Sequence, residues 1–555
     1  MGGASSAIVA GLAVWLAALG FAQIPGAAER KGQTRPAPAK APHFETSDNC
    51  LACHNSLTSP SGEDVSIGSA WRGSMMANSS RDPYWQASVR RETIDHPSKT
   101  AEIEDECSTC HMPMARTIAR SSGGHGQVFA HLPVGRDGSD AGRLAADGVS
   151  CTLCHQISPD RLGTPESFTG GFVVNPAPAT GAAIFGPFRI DVGRTRVMHS
   201  AAGVTPTEAT HIQQSELCAT CHTLYTKALG PSGEVTASLP EQVPYLEWRH
   251  SAFRTERSCQ SCHMPEVAEP TPVSSVLGEP RIGMSRHAFI GGNFFMLRML
   301  NRYRAELGVE ALPIELETTA RATTLQLQTG TATVSVAGAR VSGAMLDLDV
   351  AVRNLTGHKF PTGYPARRAW LHVLVRDRDG RAVFESGAVQ PSGAIAGNHN
   401  DVDAARYEPH YNEIRSADQV QIYESIMVDT AGAVTTGLLK GARFVKDNRL
   451  LPRGFDKSTA AADIAVRGEA AADDDFTADG DRLRYRIDVN KAAGPLQVIV
   501  ELRYQPIAFR WARNLATYDA DEPRRFVSYF EAMSSQSSMV VATAGLQVQL
   551  PSDLR

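Results

Sequence analysis

The chain is 555 residues long, with 42% hydrophobic and 20% charged residues and a formal net charge of −5. That length exceeds what one core usually serves, so two or more domains are expected. The balance is that of an ordinary globular protein and lacks the polycationic signature of nucleic-acid binding.

The chain opens on an uncharged apolar run, AIVAGLAVWLAALGFA from Ala7 to Ala22, followed by the small residues Gly26, Ala27 and Ala28. Residues 1–28 therefore read as a secretory signal peptide, the run being shorter than the roughly 20 residues of a membrane span. Residues 29–42 hold the basic, Pro-rich RKGQTRPAPAK and read as a flexible leader.

All ten cysteines then fall into one repeated unit. The units are CLACH (Cys50, Cys53, His54), CSTCH (Cys107, Cys110, His111), CTLCH (Cys151, Cys154, His155), CATCH (Cys218, Cys221, His222) and CQSCH (Cys259, Cys262, His263). A disulfide framework says nothing about the histidines, and zinc sites need CxxC units in pairs, which five units do not allow. With 17 histidines in 555 residues, five in these positions by chance has odds on the order of 10⁻⁸. The unit is the attachment sequence of c-type haem. Two thiols on one helical turn bond the porphyrin edge, and the next residue turns its imidazole to the iron. The sequence thus predicts five covalently bound haem c groups, with His54, His111, His155, His222 and His263 as proximal ligands.

Candidates for the opposite face of each iron come next. His125 and His131 lie in the Gly-rich GGHGQVFAHLP, and His199 in VMHSAAG. His211 precedes Cys218 by seven residues, so it would serve a neighbouring haem rather than that of His222. His287 opens SRHAFIGGNFF, whose glycines permit close approach to a flat ring, and Met75 in AWRGSMMANS offers a thioether donor. His358 sits in the turn-rich VRNLTGHKFPTGYPARRAWL, which reads either as a rigid turn or as a loop projecting His358 onto a haem. His372 alternates with apolar residues in AWLHVLV and reads as a packed sheet residue.

After residue 263 no cysteine remains. The spacing of Phe295, Met296, Met299, Leu300, Tyr303 and Leu307 predicts a bridging helix within 291–319, stopped by Gly308 and Pro313. From residue 320 the period becomes two, as in Leu346, Leu348, Val350 and Val352. The fold expected is α+β: a haem-packed, mostly helical and irregular domain over 43–290, then an antiparallel β-sandwich over 320–555. The acidic run ADDDFTADGDRL departs from the calcium-loop register and reads as a solvated face.

AWRGSMMANSSRDPYW, GVSCTLCHQI, HIQQSELCATCHTLYT, PYLEWRHSAFRTERSCQSCHMP and GHKFPTGYPARRAW together resemble the exported multihaem c-type cytochromes related to the tetrahaem electron acceptor of hydroxylamine oxidoreductase. Relatives often carry a distal histidine after Trp and Ser, where this chain has Met75 and, in WRHSAF, Ala252. The resemblance implies electron transfer through stacked haems in the periplasm or at the cell surface, between redox donor and acceptor proteins. A membrane or outer-membrane complex and a haem-stacked oligomer are both compatible with it. The alternative is a pentahaem oxidoreductase that reduces or oxidises a small nitrogen or sulfur compound at an open iron.

Overall fold

The computed structural model describes residues 42–178 and 180–551. The signal-peptide reading and nearly all of the leader, residues 1–41, lie outside the described residues. Among the described residues no helix is long and apolar enough to cross a membrane.

The cysteine-bearing part is built from short helices joined by long connections. Cysteines of the five motifs sit on Ser47–Leu51, Thr100–His111, Cys151–Cys154, Ser215–Ala219 and Cys259–His263. The longest helix beside them, Pro83–Asp95, starts where the Asp82 carboxylate caps the amides of Tyr84 and Trp85 and where Pro83 fits the first helical position. Strands occur here as well, including a parallel pair, Ala182–Gly186 with Val204–Glu208, and the hairpin Leu224–Leu229 with Val235–Gln242.

The bridging segment is three helices rather than one, the middle one the single turn Arg304–Leu307. Phe294–Arg302 runs into a short turn that ends at Gly308, left-handed at φ 64°, as the stop signal requires. Pro313 then opens a new helix, Pro313–Gly330, because proline suits a helix start as well as a helix stop. The first long strand therefore begins at Ala332.

Two sheets follow. One has the order Ala382–Ser386, Arg368–Arg376, Leu496–Gln505, Met539–Val548; the other runs Glu413–Ile414, Asp481–Asp488, Met345–Asn354, Ala332–Ser342. All neighbours are antiparallel except Glu413–Ile414, which pairs parallel with Asp481–Asp488. Alternation places Leu346, Leu348, Val350 and Val352 from one sheet and Val498, Val500 and Leu502 from the other in one shared core. His372 lies on a sheet face between Glu501 and Glu385, at 3.1 and 3.0 Å.

The C-terminal half is not all strand. Phe509–Leu515 and Asp521–Met533 are helices inserted before the last strand, and they pack back onto Pro83–Asp95. Arg90 makes two bonds to Glu522, at 2.8 and 3.0 Å, and Tyr84 meets Phe526 with ring centres 5.0 Å apart. Residues 42–178 and 180–551 accordingly pack as one unit.

Candidate functional site

One connected cavity of about 960 Å³ runs through the cysteine-bearing part. Every cysteine and histidine of the five motifs lines it except Cys53, and the remaining wall is mainly apolar. In the first, third and fourth motifs the histidine amide donates to the carbonyl of the first cysteine at 2.9–3.0 Å, so one helical turn carries both residues. No two of the ten cysteines are joined by a disulfide.

The motifs also touch one another. The thiol of Cys50 meets that of Cys151, Cys110 meets Cys221, and Cys218 meets Cys259. Amide hydrogen bonds hold these neighbours in place: Cys259 N donates to the Ser215 hydroxyl at 3.0 Å, and Gly170 N donates to Thr220 O at 2.6 Å. Gly170, at φ +73°, also approaches the second motif so closely that a Cβ there would lie 2.1 Å from Thr109 Cγ2. The fourth motif is therefore adjacent to the second and the fifth, and the first is adjacent to the third.

The histidines are oriented for ligation. A backbone carbonyl can only accept, so an Nδ1 facing one carries the proton and leaves Nε2 with a lone pair. That arrangement holds for His54 on Val273 O (2.6 Å), His111 on Ser79 O (2.9 Å), His155 on Phe185 O (2.6 Å) and His263 on Ile290 O (2.5 Å). His222 makes no such bond. His287 on Ser285 O (2.9 Å) and His358 on Lys359 O (3.0 Å) repeat the pattern outside the motifs.

Those last two rings stand opposite motif histidines. His155 and His287 have ring centres 6.2 Å apart with planes 18° from parallel, and His263 and His358 have centres 6.2 Å apart at 16°. A metal–imidazole bond of roughly 2.0–2.1 Å, with the ring centre about 1.1 Å behind the nitrogen, puts two imidazoles on one ion about 6.2–6.4 Å apart. The two pairs have that spacing. Burial lowers His155, and lowers His111, His222, His287 and His358 to about 4, so these rings are neutral at pH 7, the form that binds metal.

The structure brings Met75 to the cavity wall. It does not bring the other candidates there. His199 is exposed, because its helix Val192–Ala202 turns Met198 and Ala202 inward instead. His125 is exposed beside Arg120, and His131 faces Asp137 at 3.4 Å. His211 is buried, but its Nε2 is bonded to Ile157 O at 2.9 Å and its ring packs edge-on against Phe185.

Trp71, Trp85 and Trp248, which the sequence offers as packing against haem or helix, all reach the cavity wall, whereas Tyr84, Tyr364 and Glu241 give no signal in the sequence. Trp85 lies flat against His111, ring centres 4.3 Å apart and planes 3° apart. Tyr84, Tyr364 and Glu241 form a polar corner of the cavity. Burial, opposed by the Thr226 hydroxyl and reinforced by Glu92 and Glu106, lifts the Glu241 carboxyl to about 7. His358 is held by a buried network linking the two parts of the chain: Lys359 Nζ on Asp447 at 2.7 Å, Arg449 on Asp447 through two 2.8 Å bonds, Arg449 on Glu247 at 2.9 Å, and Glu247 accepting from Lys359 N at 3.1 Å. Against the upward push of burial, Arg449 and Lys359 hold the Asp447 carboxyl well below the usual range.

Asp473 and Asp481 are buried against His410, which corrects the reading of the acidic run as a solvated face. This cluster has ligand-like spacing but the wrong tautomer for a metal. Gln421 and Asn448 both donate to His410 Nδ1, at 2.9 and 3.1 Å, and their own oxygens are fixed by the amides of Tyr411 and Glu424. Nδ1 is therefore the acceptor, and Nε2–H donates to Asp473 at 3.0 Å.

No family model and no curated protein matches the sequence. Among solved structures the chain is similar to one described as a penta-heme cytochrome c552 from Thermochromatium tepidum, with a TM-score of 0.52 and 15% sequence identity. The match covers 91% of this chain and 99% of that one. At that identity the likeness is one of fold.

Proposed function

We propose that the chain is a pentahaem c-type cytochrome that passes electrons between redox partner proteins, exported to the periplasm or the cell surface. The observation that carries this reading is the pair of 6.2 Å imidazole spacings across a cavity into which all five motifs open. The ten cysteines would tether five haems, and the motif histidines would hold the irons on one side. His287 and His358 would complete two of the irons. Haem c, when bound, supplies a one-electron couple. The chain fixes imidazole orientation through backbone carbonyls and excludes water with the apolar wall. Touching thiols make the fourth motif a junction to the second and fifth, and Cys154 of the third motif lies within electrostatic reach of Cys221 and Cys218, which joins the first and third motifs to that set. On this reading the sheets of residues 332–548 form a β-sandwich whose loop supplies His358.

One observation favours the second reading, an oxidoreductase acting on a small nitrogen or sulfur compound. Among the described residues no second histidine ring stands opposite His54, His111 or His222, and Glu241, Tyr84 and Tyr364 put acid–base groups on the cavity wall. Electron paramagnetic resonance of the oxidised protein with and without cyanide decides between them. Low-spin signals unchanged by cyanide support the carrier. A high-spin signal that cyanide or nitrite converts supports the enzyme.

A further inference from the structure

The wall of the cavity beside the first motif has two faces. Inward, Phe188, Ile190, Met198 and Val273 line the cavity. Outward, the same two segments expose Val192 (67%), Val197 (40%), Val276 (46%), Leu277 (61%) and Ile282 (71%). None of these five lines the cavity, so a group filling it would leave them in water. The helix Val192–Ala202 buries none of its residues. Isolated exposed apolar residues are ordinary, but five on two joined segments make a patch of the kind that marks association sites.

The segments are joined by built contacts. Arg194 Nε donates to Leu277 O at 2.6 Å and its Nη2 meets Glu279 at 2.7 Å. Arg281 lies over Phe188, 5.3 Å from the ring centre. Ser275 N donates to Cys53 O at 2.8 Å, which ties the patch directly to the first motif. Leu277, a bulky apolar residue, is held at φ 53° with its side chain in solvent, a conformation that costs energy without any gain in burial.

The patch is basic on a chain of net charge −5. Arg194 pairs with Asp191 and Glu279 and Arg281 with Glu279, while Arg189 and Arg196 on the same segment have no carboxylate partner among the described residues. Glu45, paired with His43 at the far end of the helix, bounds this area.

We infer that this outer face is the docking surface for a small electron-carrier protein whose cofactor edge is ringed by carboxylates. The inference rests on the electron-transfer reading above and names its partner class and point of entry. Arginines steer the acidic rim, the apolar residues desolvate the contact, and one electron crosses the thin wall per encounter, the carrier being oxidised and this chain reduced.

The test is stopped-flow reduction of the full, haem-loaded chain by the hydroquinone of flavodoxin, an acidic carrier that becomes the semiquinone. A basic mitochondrial cytochrome c in its ferrous form serves as the contrast. With flavodoxin the second-order rate falls as salt rises, and Arg189→Glu with Arg196→Glu lowers it about tenfold at low salt and flattens the salt slope. Leu277→Ser lowers the rate several-fold and keeps the slope. Unchanged rates in both variants, or a faster reaction with the basic carrier, would overturn the inference. So would a faster variant, as expected if the chain's own residues ahead of His43 cover the patch, or a variant that only abolishes self-association in sedimentation. A pyridine haemochrome assay on the same samples separates the two claims: fewer than five haems in the unaltered chain sinks the electron-transfer reading, whereas five haems with salt-insensitive reduction sinks the docking surface alone.

Discussion

His358 stands with its ring centre 6.2 Å from that of His263, and its Nδ1 is tied to Lys359 O, which leaves the lone pair of Nε2 unused. His358→Ala should keep five haems but convert one low-spin signal to high-spin, while His199→Ala, on the exposed helix, should leave the spectrum unchanged. Glu241 gives a pH prediction. Its folded pKa, about 7, lies above the ordinary 4.5, so the protonated form is the one the fold favours. Stability is unaffected below about pH 4.5 and falls as pH rises toward 7, by an amount on the order of 3 kcal/mol. Glu241→Gln should flatten that fall, read as melting temperature between pH 5 and 8. Residue identity was legible where chemistry demanded a pattern: CxxCH names its histidine at once. Opposite ligands carry no spacing rule, so His287 and His358 looked no better in sequence than His199 or His211, and only the packed chain separates them.

The turn-rich loop around His358 depends on four buried charges drawn from both parts of the chain. Lys359, Asp447, Arg449 and Glu247 are each at most 7% exposed, and their charges cancel. Glu247→Gln removes a counter-charge from Arg449 and leaves one acceptor oxygen where there were two, so either Arg449 or Lys359 N faces an amide NH2. It should cost about 3–5 kcal/mol in urea unfolding and broaden or lose the low-spin signal assigned to His263 and His358. Asp447→Asn should act the same way, and because Asp447 is held far below its ordinary 3.8, its contribution is complete above that pH and lost on stronger acidification. At this scale the strands were legible from strict alternation, as in Met345–Asn354. The helix Asp521–Met533 is legible as well, since Phe526, Tyr529, Phe530 and Met533 recur at helical spacing behind Pro523, but the strand patterns on either side mask it. The restart at Pro313 shows why proline alone does not tell a helix stop from a helix start.

Across the whole molecule, cavity and sheets share one packed unit because the C-terminal helices reach back onto Pro83–Asp95, beside the cavity wall. Side-chain bonds cross the expected boundary at 291–319: Arg90 with Glu522, and Glu247 with Arg449, join the parts on either side of it. The fourth motif, in contact with the second and the fifth, holds the cavity together, so His222→Ala should disturb the signals of more than one neighbour whereas His54→Ala should disturb few. All of this requires that each pair of motif cysteines be consumed by a haem rather than left as free thiols or joined between motifs. Intact-protein mass spectrometry of the matured chain measures that directly. The account predicts the mass of the polypeptide plus five haem c groups and no residual thiol. A mass equal to the bare polypeptide, or one lowered by disulfides linking Cys50 to Cys151, Cys110 to Cys221 and Cys218 to Cys259, would contradict it.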